Sequence, residues 1–178
     1  MMRLPVWLFL ILLALCAVYG SFWFLEAPPN ASGINHPTFD TMLQGGDGAA
    51  RHRPMLWLGW LAGVLQILFF VGLVLLGLRR GDRVTAGRGA VIGAAVAFLA
   101  VFTLLVRSYR GFMLQGAGAE SQLFLGFPAP TAWMLFGLWT VPGVFLILYV
   151  LRFDSWILDA EALARFERLL AQRRGGER

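Results

Sequence analysis

The sequence predicts an all-α membrane protein of four transmembrane helices, with both termini in the cytoplasm and an amphipathic helix after the last span. Three observations lead there. Apolar residues make up 58% of the 178-residue chain and charged residues 14%, with a mean hydropathy of +0.70, whereas a soluble domain carries about a quarter charged residues. Four uncharged apolar runs approach or exceed the roughly 20 residues that a helix needs to cross a bilayer. The arginines, finally, gather at alternate ends of those runs.

The first run, residues 4–25, opens behind Arg3 and closes with Phe22, Trp23 and Phe24, an aromatic belt of the kind found at membrane interfaces. Its length exceeds the apolar core of a signal peptide, about 7–15 residues, so it is expected to be a retained span. The second run, 54–78, is long enough to cross with some tilt. The third, 89–106, is shorter; Gly89, Gly93, Ala94, Ala95 and Ala97 are expected to form a small-residue face for close helix packing. In the fourth, 131–151, Pro142 beside Gly143 predicts a kink whose freed carbonyl Thr140 or a neighbour satisfies. None of the runs alternates with period two, so they are helices and not barrel strands.

All 15 basic residues are arginine. With the N-terminus inside, 11 fall on inner segments and only Arg51, Arg53, Arg107 and Arg110 outside, as the positive-inside rule requires. The segment from Arg79 to Arg88 alone holds Arg79, Arg80, Arg83 and Arg88. The expected location is the bacterial inner membrane. The net charge of +5 does not indicate nucleic acid, since these charges border apolar runs and form no basic patch on a polar body.

The first outer loop is rich in Pro, Gly, Asn and Asp and reads as irregular; it carries the formal sequon Asn30-Ala31-Ser32, and His36 and Asp40 are read there as solvated residues. The second outer loop turns apolar at 123–130, where Gly126, Pro128 and Pro130 break an apolar stretch. A non-helical apolar segment beside a membrane lies at the interface or against protein, so Phe124, Phe127, Pro128, Pro130 and Trp133 are the candidate partner contact; the alternative is a helix-start turn with aromatic anchors. After residues 1–153, the transmembrane domain, 154–178 forms a cytoplasmic tail. Asp154 is expected to cap a helix to about Arg173, with Trp156, Ala160, Leu163, Phe166 and Leu170 on one face and Glu161 and Arg165 as an i,i+4 pair. That face and the terminal Arg173 and Arg174 suit an anionic lipid surface.

Enzyme chemistry has no constellation to stand on. Cys16, the single cysteine, lies in the first span and reads as packing. The two histidines, His36 and His52, lie in or beside the first outer loop, whereas a haem-b subunit takes axial ligands from its spans. No nucleophile with a base is visible, nor a metal cluster, so no catalytic residue, cofactor or metal is assigned. The intramembrane polar residues are Gln66, Thr103 and Thr140, and a lone glutamine in a span more often bridges helices than binds substrate. Arg107 and Arg110 sit where the third span meets the outer interface and can snorkel.

Leu125-Gly126-Phe127-Pro128, Trp133 and the apolar helix ending Tyr149-Val150-Leu151-Arg152-Phe153-Asp154 resemble the second helix of the small subunit of bacterial solute:sodium symporters, over about residues 123–154. The family has two spans and a glutamine-bearing stretch after the turn, where this chain has four spans and residues 138–142 stand. The resemblance implies an auxiliary role beside a large sodium-coupled permease that itself holds the ion and substrate sites. A fainter likeness between 60–82 and 133–154 suggests a duplicated hairpin. The expectation is therefore a non-enzymatic accessory subunit of a membrane complex, a solute transporter foremost, whose partners are membrane lipids and a larger integral membrane protein. The alternatives are a self-assembling small transporter or channel, a homo-oligomer with its pathway between copies, and a membrane subunit of an electron-transfer complex without its own cofactor.

Overall fold

The computed structural model describes residues 3–26, 33–45, 52–80, 83–84, 87–115, 123–153 and 160–176. Helix α1 covers Arg3–Ser21 and tightens into a 3₁₀ turn at Phe22–Phe24. Helix α2 covers Leu56–Gly77 and α3 covers Arg88–Gln115. Helix α4 runs over Ala129–Leu151 and α5 over Ala160–Gly176. The first four are long and apolar enough to cross a membrane, which agrees with an all-α bundle of four spans. Among the described residues, three two-stranded hairpins sit between them: β1 (Ile34–Asn35) with β2 (Leu43–Gln44), β3 (Arg79–Arg80) with β4 (Arg83–Val84), and β5 (Leu123–Phe124) with β6 (Phe127–Pro128).

Consecutive helices pack on one another: α1 on α2, α2 on α3, and α3 on α4. The core lies where α2, α3 and α4 meet, built from Ile67, Val71 and Leu78, from Val91, Ala94 and Ala95, and from Val141 and Phe145. Val91 is the most enclosed, at 1% exposure. Helix α1 joins through Leu8 and Leu15. Because lipid tails are as apolar as leucine, burial alone does not drive such helices together; close van der Waals contact and interhelical hydrogen bonds do.

A glycine serves each of the three consecutive interfaces. A Cβ on Gly72 would lie 2.6 Å from Leu8 Cδ2, and one on Gly63 would overlap the ring of Phe102. On Gly137 it would lie 2.8 Å from Val101 Cγ1 and 3.1 Å from Trp133 Cε3. The small-residue face expected on the third span divides in two. Ala94 and Ala95 are buried in the core, whereas Gly89, Gly93 and Ala97 are exposed.

Helices α1, α2 and α4 end within a few residues of the apolar runs in the sequence, but α3 continues well past Val106. Arg107 and Arg110 end the apolar run, yet arginine is a good helix former, and a helix has no reason to stop where the hydrocarbon does. Where Pro142 predicts a kink, α4 changes helix type. After one α-turn at Ala129–Ala132, the chain is π-helical over Trp133–Leu138 and returns to α over Thr140–Leu151. Pro142 has no N–H for the Leu138 carbonyl, and the wider π segment ends at that residue. The Thr140 hydroxyl donates to the Phe136 carbonyl. The tail helix is described only from Ala160, so the expectations for Asp154 and Trp156 lie outside the described residues, as do the sequon and the Glu161 side chain.

Candidate functional site

Three places bring the singled-out residues together. The first is a groove of about 390 Å³ on the α2–α3–α4 face beside the π segment, lined by Gly63, Gln66, Phe70, Phe102, Trp139 and Pro142 among others. Gln66 and Pro142 therefore share a site. Phe70, on its lining, meets the Phe145 ring edge-to-face, with centroids 5.4 Å apart. Gln66 lies about 15 Å along α2 at 1.5 Å per residue, near mid-span, and its Nε2 donates to the Tyr19 hydroxyl at 2.5 Å. The amide thus ties α1 to α2, the role expected of a solitary glutamine in a span.

Thr140 and Thr103 do not join that groove. Thr140 is turned onto its own helix backbone. Thr103 accepts from Trp60 Nε1 at 3.3 Å and belongs to a second cavity of about 280 Å³ between the start of α2 and the C-terminal part of α3. There Trp57 and Trp60 meet edge-to-face at 5.9 Å, and the Arg110 guanidinium carbon lies 5.6 Å from the Trp57 ring centre. His52 Nδ1 hydrogen-bonds the Tyr109 hydroxyl beside it. Sequence reasoning missed this assembly. The available signal was the repeated i,i+3 spacing of Trp57 with Trp60 and Arg107 with Arg110, which places each pair on one helix face.

The third place is the β5–β6 hairpin. Its two-residue loop, Leu125-Gly126, has φ of 53° and 80°, so both residues are left-handed, as a type I′ turn demands. Gly126 adopts this freely, while Leu125 is a non-glycine residue in the left-handed region. The apolar side chains project outward: Leu125 is 66% and Phe124 59% exposed. Phe127 is anchored on the Phe136 ring at 6.2 Å, and Pro130 is buried. Of the five residues expected to make a partner contact, Pro130 thus belongs to the base, and Phe124, Phe127 and Trp133 are exposed.

In the first loop, His36 Nδ1 accepts the backbone N–H groups of Thr38 and Phe39 at 3.1 and 3.3 Å, so the imidazole organises its own turn, and Asp40 is exposed within it. In α5, Leu163, Phe166 and Leu170 are exposed, with Arg173 and Arg174 in the last turn. Among the described residues no group of three His, Cys, Asp or Glu side chains converges as a metal site would. Comparison with family models, curated proteins and solved structures finds no match for this chain.

Proposed function

We propose that this chain is a non-enzymatic accessory subunit of a membrane complex, a solute transporter foremost, in the bacterial inner membrane with both termini cytoplasmic. The observation that carries the reading is the Leu125-Gly126 hairpin. The turn needs a left-handed residue at 125, but Asn or Gly would supply it at little cost; a leucine there is strained, and such strain concentrates where a surface has a task. The residue presents its side chain outward at the tip of an apolar loop, the arrangement of a contact awaiting a larger membrane protein. The likeness of 123–154 to a symporter small subunit points the same way. A mild-detergent pull-down of the tagged full chain from its native membrane, with quantitative mass spectrometry, tests it. A stoichiometric polytopic permease supports the reading, and recovery of the chain alone contradicts it.

A second reading has its own observation, the groove that Gln66 and Pro142 both line. In a self-assembled transporter or channel that groove would face a pathway between copies. Flux into liposomes reconstituted with the purified chain, unchanged by Gln66→Leu, removes that role.

A further inference from the structure

We propose that the cavity between the start of α2 and the C-terminal part of α3 binds an anionic phospholipid, one acyl chain in the slot and the phosphate on Arg107 and Arg110. Along α3, Arg107 stands 19 residues after Arg88, about 29 Å at 1.5 Å per residue, which matches a hydrocarbon core of about 30 Å. Two guanidiniums one turn apart therefore lie at headgroup level. Below them the cavity is apolar, walled by Leu56, Trp57 and Val106, and its deep end is closed by the Trp60–Thr103 hydrogen bond. Trp57 holds Arg110 over its ring, which orders the cation at the rim. No carboxylate among the described residues pairs with either arginine, so the rim offers two fixed positive charges above a greasy slot, complementary in charge and polarity to an acidic lipid. Placement of the two arginines adds to this. They stand at the end of the bundle opposite the Arg79–Arg80 hairpin, where topology gives no reason for positive charge.

The test is native mass spectrometry of the full chain in mild detergent, titrated with phosphatidylglycerol or phosphatidylcholine of identical acyl chains. Two basic side chains at a lipid surface favour the anionic headgroup by roughly 10- to 30-fold, and that preference for one bound lipid is expected. Arg107→Gln with Arg110→Gln abolishes the preference. Val106→Trp, which fills the slot and keeps both charges, lowers occupancy, and Arg79→Gln with Arg80→Gln leaves the first bound lipid in place. Melting curves in phosphatidylcholine confirm that each variant is folded. Equal binding of the two lipids overturns the proposal, as does a preference that survives Arg107→Gln/Arg110→Gln. Displacement of the bound lipid by millimolar inorganic phosphate also overturns it, since the rim then serves a soluble anion.

Discussion

Leu125 and Gln66 show how differently two single residues enter the account. The left-handed backbone at Leu125 costs an L-residue about 1–2 kcal/mol. Gln66 carries the opposite sign, because its amide to Tyr19 is an interhelical bond worth on the order of 0.6 kcal/mol in a membrane bundle and up to about 1.7. Gln66→Leu and Tyr19→Phe are therefore expected to destabilise α1 docking by similar amounts. The double substitution should cost little more than either alone, and a double-mutant cycle on reversible unfolding in mixed micelles measures it; additive losses would show that the two side chains do not interact. Gln66 and Pro142 were legible in the sequence because a polar or ring-closed residue stands out in an apolar run. Tyr19, Trp57 and His52 were not. Aromatic residues near helix ends form interfacial belts in most membrane proteins, and their partners across a helix pair depend on packing that sequence spacing does not specify.

At the scale of the element, the interfaces are set by how closely the helix backbones approach. The three glycines that permit this face different kinds of neighbour. Gly72 meets the tip of Leu8, which can rotate away, whereas Gly137 meets a methyl of Val101, whose branched Cβ leaves χ1 little freedom in a helix. Overpacking costs typically about 1–3 kcal/mol, so Gly137→Ala is expected near the top of that range and Gly72→Ala at or below its foot, read as loss of melting temperature in detergent. Equal losses would contradict the packing described. The four spans could be read from hydropathy alone, and their limits from where charge begins. The extension of α3 to Gln115 could not, because hydropathy reports the membrane and not the helix. Pro142 was visible, but the π segment four to nine residues before it was not. The proline states which hydrogen bond is missing, while the backbone's response depends on what α3 offers at Val101 and on the Thr140 hydroxyl.

At the scale of the molecule, the proposed direction rests on arginine placement, and consecutive packing of the helices sets the bundle. The orientation has a direct expectation. On a Cys16→Ser background, Asp40→Cys should react with an impermeant maleimide in intact cells, and Gln172→Cys only after permeabilisation; the reverse pattern would invert the bundle. Helix α5 was anticipated as an amphipathic tail, and its Leu163, Phe166 and Leu170 stripe is exposed. What the whole chain does was least legible, because on the proposed reading the residues that bear on it act by surface and not by chemistry. A strained hairpin tip has no motif, only an apolar turn at 123–128 whose left-handed Leu125 appears once the backbone is traced.

The central claim is that this tip contacts a larger membrane protein, and photo-crosslinking from position 125 in the native membrane tests it most directly. A photoreactive residue at 125 is expected to give one dominant heterologous adduct of a polytopic protein, and the same probe at Trp23, exposed at the end of α1, is not. Leu125→Gly, which relieves the strain, should melt no lower than the parent and yet fail to co-purify that partner. Adducts of lipid or of a second copy of the chain alone, with Leu125→Gly behaving as the parent, would contradict the account.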